Sequence, residues 1–161
     1  MKHWLFKTEP SEFSIDDLRR SPQGTAPWDG IRNYQARNLI RDEMAEGDRV
    51  LIYHSSSDPT GVAGTARIAR AAYPDHTAWD PKSDYYDSRS KPEAPTWFMV
   101  DVRFEERFAG LLTLVAMREI PALREMIVLR KGMRLSVQPV TAAEFEAVVR
   151  HARALGKAAG G

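Results

Sequence analysis

The hydrophobic and polar positions set out the elements first. Residues 3–8, HWLFKT, alternate Trp4, Phe6 and Thr8 with His3, Leu5 and Lys7, the period of a strand with a buried face. Ser14 and Asp17 are spaced as a capping box, which predicts a short helix over 15–20 that stops before Pro22. Residues 23–28 read as loop. Asn33 is a good N-cap, and Ala36, Leu39, Ile40 and Met44 fall on one helical stripe that Gly47 would close. Strand patterns follow at 49–55, 61–73 and 96–106. Thr113 can cap a short helix, 121–125 reads as another, and 133–140 as a last strand. Thr141 and Glu144 form a second capping box, opening a C-terminal helix to about residue 155, with 156–161 as a frayed tail.

Five or so strands, with helices inserted after the first and placed at the end, predict a small α+β domain around a curved sheet or partly closed barrel. The segment between Pro74 and Pro95 is long, proline-rich and polar, and carries Trp79, Tyr85 and Tyr86. Loops of that length are uncommon in compact domains unless they cover something or move, so lid and plain surface loop are both open readings.

Composition narrows the function without naming it. A chain of 161 residues with 43% hydrophobic and 28% charged positions fits one soluble domain with a core of its own. It has no cysteine, which removes disulfides, thiol nucleophiles and thiolate zinc sites. No apolar run reaches the roughly 18 residues of a membrane span, and MKHWLFKTEP lacks the apolar region of a secretion signal, so a cytoplasmic protein is expected. A net charge of +1 does not suit a protein that coats nucleic acid, so any basic surface must be local. Arg130, Lys131 and Arg134, with Arg118 and Arg124 upstream, are the candidate for one, and a solvated face is the plain alternative.

Catalytic and cofactor motifs are sparse. The histidines His3, His54, His76 and His151 have no metal-ligand spacing, so no metal and no cofactor is expected. GVAG lacks the Gly-Lys-Ser/Thr ending of a phosphate loop and reads better as backbone room at a strand bend. His54 precedes Ser55, Ser56 and Ser57, but neighbours in a strand face opposite ways and make no dyad. Binding chemistry concentrates in WDGIRNYQARN, residues 28–38. Trp28 offers a stacking face, and the helix beginning after Asn33 offers free N–H groups and a positive dipole end. Arg32 and Arg37 flank that end and can donate paired hydrogen bonds, while Tyr34, Arg37 and Asn38 lie opposite the apolar stripe. The same residues also fit a tryptophan plug and a simple helix cap, and the residues alone leave both open.

HWLFKTEP, WDGIRNYQARN, YHSS, GVAG, AYPD, WFMVDV and RLSVQPVT stand in the order found in the EVE domain family, which the chain resembles from His3 to about Val149. That family belongs to the PUA-like superfamily. The resemblance implies a small mixed β-barrel of five to six strands with surrounding helices, here one EVE domain over residues 1–155. It also implies recognition of a modified base in DNA or RNA: related YTH domains read methylated adenine, SRA domains flip methylated cytosine, and EVE-like proteins are associated with methylated and hydroxymethylated cytosine. Carried over by position, Lys7, Thr8 and Glu9 would make polar contacts, Trp28 the aromatic wall, Asn33 the edge reader, and Ser55 and Ser56 the opposite side. Ser136 would close the floor, with Tyr34, His54 and Trp97 nearby, and Arg32 and Arg37 would hold a phosphate. The flipped base costs a few kcal/mol of unstacking, which stacking and edge hydrogen bonds must offset.

Two other readings start from the same residues. Other PUA-like branches carry nuclease or amide-hydrolase activity, and here Lys7, Glu9 and His54 would be the reacting groups, with Glu9 or His54 as general base. The third is an interaction module with a vestigial pocket, docking a partner through the basic 118–134 surface.

Overall fold

The computed structural model describes residues 1–160, with side chains described up to Gly156. Six strands form one mixed sheet: β1 (His3–Thr8), β2 (Thr25–Trp28), β3 (Arg49–His54), β4 (Gly61–Pro74), β5 (Phe98–Thr113) and β6 (Val137–Val140). Their spatial order is β2-β5-β4-β3-β1-β6. β1 runs parallel to β3 (Leu5 opposite Leu51) and antiparallel to β6 (Leu5 opposite Gln138). The helices are α1 (Ile15–Arg20), α2 (Tyr34–Asp42), α3 (Leu114–Arg118) and α4 (Ala142–Gly160). None of them, among the described residues, is long and apolar enough to cross a membrane.

The expected barrel is not closed. β2 and β6 are free edges, so the α+β architecture holds while the closure does not. Bulges along β4 and β5, between Val62 and Gly64 and again beyond Ile68, curl the long pair without joining the edges. The GVAG stretch explains how closely that pair packs. A Cβ on Gly61 would stand 2.4 Å from the Leu112 carbonyl oxygen, and one on Gly64 2.2 Å from that of Glu106. Each edge strand carries an exposed proline, Pro27 in β2 and Pro139 in β6.

β1 lies between β3 and β6 inside the sheet, and both of its faces are buried, not one. Trp4 and Phe6 enter a core with Ile15, Leu18, Trp28, Ile40 and Ile52. Leu5 enters a second core, under α4, with Leu51, Phe108, Leu112, Met117 and Phe145. The helix starts follow the sequence closely. Both halves of the Ser14–Asp17 box are made, as are both halves of the Thr141–Glu144 box.

The boundaries moved where tertiary pairing overrode local pattern. Residues 25–28, expected as loop, are β2, because they pair antiparallel with Val100–Arg103 of β5. The last strand shortens to Val137–Val140, since residues 130–136 turn to meet β1 instead. The helix expected over 121–125 is a 3-10 turn at Pro121–Leu123, and α2 ends at Asp42, with Gly47 (φ +91°) in the following turn. α4 continues to Gly160, through the stretch expected as a tail, and Gly161 lies outside the described residues.

Candidate functional site

A cleft of about 650 Å³ opens where β1 ends beside the chain leading into β6. Lys7, Thr8 and Glu9 come from the end of β1, Ser136 from the approach to β6, and Pro27 and Trp28 from β2. Asp29, Gly30 and Ile31 follow from the next turn, Glu12 and Phe13 from the approach to α1, and Asp84 and Tyr85 from the segment between Pro74 and Pro95.

Three aromatic side chains meet there. Trp28 is 8% exposed, with Phe6 beneath it at 5.4 Å between ring centres and Phe13 edge-on at 6.0 Å. Tyr85 is 43% exposed and lies against Gly30, where a Cβ would stand 2.6 Å from its ring. Gly30 also adopts φ +80°, so glycine alone satisfies both the turn and the close approach of the ring.

The charged groups of the cleft are mostly acidic. Glu9, Glu12, Asp29 and Asp84 line it against the single cation Lys7. Burial, and then the charge of Asp75, push the Asp29 carboxyl above its ordinary range, against the pull of Arg32 and His76. Burial pushes the Lys7 ammonium down. Its Nζ donates to the Met133 carbonyl at 3.0 Å, which ties the end of β1 to the 130–136 turn.

The second half of WDGIRNYQARN turns away from the cleft and builds its support. Arg32 donates to the fully buried Asp75 carboxylate at 3.0 Å and to the Tyr85 carbonyl at 2.7 and 2.9 Å. Its guanidinium also lies over the rings of Trp97 and Tyr85, 5.5 and 5.6 Å from their centres. Trp97 packs on Tyr34 at 5.0 Å, and Arg37 lies over Tyr34 at 4.9 Å while donating to the Thr96 carbonyl. Arg32, Arg37, Tyr34 and Trp97 therefore come together, as a stacked buttress behind Tyr85 and not as cleft lining. The cation roles proposed for Arg32 and Arg37 compete with these bonds. The Pro74–Pro95 segment is bonded to the same group: Asp75 N–H donates to the Trp97 carbonyl and Asp87 accepts from the Trp97 indole.

Asn33 accepts from the Ala36 N–H with its side-chain oxygen, capping α2, and is not among the residues lining the cleft. Ser55 and Ser56 follow β3, which flanks β1 on the side away from β6 and Ser136, so they do not line the cleft. His54 faces a separate cavity of about 150 Å³ with Ile15, Asp16 and Arg107. Its Nε2 accepts from the Ile15 N–H at 3.1 Å, which adds a ring nitrogen to the caps of α1. The trio Lys7, Glu9 and His54 is not assembled.

That histidine gives a pH prediction. Burial, aided by Arg107 and opposed by Asp16, holds its pKa below the ordinary 6.5. The folded state therefore disfavours the proton. The stability tied to neutral His54 is intact above pH 6.5 and is lost as the pH falls from there through the lower folded value. His54→Gln is expected to flatten the fall in Tm between pH 7.5 and 5.5 relative to the unsubstituted protein; an unchanged pH profile would remove His54 from the account.

Glu12, Phe13, Asp29 and Asp84 are among the cleft residues that motif reading passed over, while Tyr85 was noted only as one of three aromatics in the Pro74–Pro95 segment. Phe13 had a signal, since an apolar residue just before an N-cap commonly packs back on the structure. Tyr85 had none locally, because its place is set by Arg32, more than fifty residues earlier.

The EVE domain model matches residues 2–151. Thymocyte nuclear protein 1 of Homo sapiens is 40% identical over 164 residues, covering 91% of this chain and 72% of that protein. A hypothetical protein from Leishmania major superposes with a TM-score of 0.91 at 45% identity, covering 97% of each chain. Human THYN1 in complex with DNA containing 5-methylcytosine superposes with a TM-score of 0.86 at 38% identity, covering 94% of this chain and 98% of that one. The PUA-like α+β fold is common to them, and with the family match spanning nearly its whole length this chain belongs to the EVE domain family.

Proposed function

We propose that the cleft takes a methylated or hydroxymethylated base turned out of a nucleic acid, and binds it without chemistry. The observation that carries this is the meeting of Phe13, Trp28 and Tyr85 around one cleft of about 650 Å³, a size within the usual range for ligand sites. An aromatic face contributes about 1–3 kcal/mol per stacked base, enough for two faces to offset a few kcal/mol of unstacking. Asp29 suits a cytosine-like edge, since a carboxylate accepts from the exocyclic amine. The relative solved with 5-methylcytosine DNA supports the same ligand class for this chain. We favour binding without turnover because His54, one of the two general bases of the hydrolytic reading, caps α1 in another cavity, which leaves Glu9 at the cleft without it.

Tyr85→Ala tests it, because that ring is exposed enough to remove without opening the core. Affinity for an oligonucleotide with one 5-methylcytosine is expected to fall about tenfold to a hundredfold, matching the loss of one stack, with Tm nearly unchanged. Quenching of tryptophan fluorescence reports the binding. Equal affinity of the unsubstituted protein for plain and modified oligonucleotides, across a panel of bases, would sink the proposal.

A further inference from the structure

The acidic lining raises a question that the base-binding reading leaves open. A base in the cleft brings its own phosphate and those of its neighbours, and Glu9, Glu12, Asp29 and Asp84 repel them. The arginines nearest in sequence to Trp28 are committed elsewhere. Arg32 is held by Asp75 and the Tyr85 carbonyl, and Arg37 by the Thr96 carbonyl and Asn38. The phosphates need cations outside the cleft, close to it and without partners.

The turn over residues 130–136, RKGMRLS, has these properties. It holds three cations, Arg130, Lys131 and Arg134, and no acidic residue. All three are exposed, and among the described residues none forms an ion pair. The turn is fixed, not loose. Lys7 donates to it twice, from its backbone N–H to the Ser136 carbonyl at 2.8 Å and from Nζ to the Met133 carbonyl at 3.0 Å. Met126 and Val128, just before the turn, are buried. Both Lys7 and Ser136 line the cleft, so the turn that carries the cations runs directly into it. In a chain of net charge +1, this run of unpaired cations beside an acidic cleft separates two tasks, base inside and backbone outside.

We infer that Arg130, Lys131 and Arg134 form a phosphate rail that holds the nucleic-acid backbone on either side of the base bound in the cleft. The inference rests on the base-binding reading for its geometry, yet it is measured by a different quantity. Phosphate contacts release counterions and appear in the salt dependence, whereas base contacts appear in the preference for the modified base.

The test uses the full chain and a short DNA duplex, plain or with one central 5-methylcytosine, titrated from low to moderate salt. The triple substitution Arg130→Gln, Lys131→Gln and Arg134→Gln removes three exposed charges, so the fold should be retained and Tm unchanged. Affinity is expected to fall about 100-fold at 0.1 M salt, with the log–log salt slope shallower by about 2–3, while the ratio between modified and plain DNA is kept. A control triple, Arg19→Gln, Arg20→Gln and Arg41→Gln, removes the same charge from α1 and α2 and should leave the slope in place.

A rail variant with the unsubstituted slope, or a control that loses as much, overturns the rail. So does an unsubstituted protein that binds no duplex. Salt-dependent binding that the rail triple abolishes but that ignores the methyl group supports the rail and sinks the base reading alone.

Discussion

Asp75→Ala is expected to lower stability by about 3–5 kcal/mol and to weaken base binding with it. The Asp75 carboxylate is fully buried and accepts from the Gly30 N–H, the Thr77 N–H and hydroxyl, and Arg32. Removing it leaves Arg32, whose side chain is 22% exposed, without its carboxylate. It also unpins the turn that carries Asp29 and Gly30 from the segment that carries Tyr85. Burial by itself would raise the Asp75 pKa, but the bonds from Thr77, Gly30 and Arg32 together hold it below the ordinary 3.8. Its stabilisation is therefore present above about pH 4 and lost as the pH falls through the depressed folded value. Chemical denaturation at pH 7 reads the first effect, and the same titration with 5-methylcytosine DNA reads the second. A variant as stable as the unsubstituted protein would contradict the account of the buttress.

Trp28→Ala comes next in size. Trp28 is both cleft wall and core, so the substitution should cost about 3–5 kcal/mol and lower Tm by about 6–20 °C, in addition to abolishing base binding. Lost binding in that variant would not by itself identify a stacking residue. Trp28→Phe keeps an aromatic face over Phe6 and should recover most of the stability and part of the affinity. If Trp28→Ala keeps its affinity wherever it remains folded, the base does not lie on that ring.

The opening motif shows how far sequence reaches. Trp28 to Ile31 face the cleft, and the tryptophan was readable as a ligand wall or as a plug. The structure places it in the core and in the cleft lining at once, as a ring 8% exposed allows. Arg32 to Asn38 looked equally chemical, but their donors are spent on partners far along the chain. Local sequence shows the donors and not the partners, so the phosphate role given to Arg32 and Arg37 met competitors at Asp75, the Tyr85 carbonyl and the Thr96 carbonyl. The elements were legible where caps and alternation are local, as in α1, α2, β1 and β4. They were not where a strand exists only because a partner reaches it, as β2 does beside β5. Openness of the sheet was likewise unreadable, because curvature and closure depend on bulge positions that residue pattern does not fix.

The prolines at the two sheet edges limit what the molecule can associate with. In an edge strand alternate N–H groups point outward and are free to recruit another strand. Pro27 and Pro139 each delete a donor from a strand only four residues long. An extended peptide, or a second copy laid edge to edge, would find a ladder missing a rung at either end. Edge-to-edge pairing is thereby disfavoured at both margins of the sheet, including the β2 margin where the cleft beside Trp28 opens.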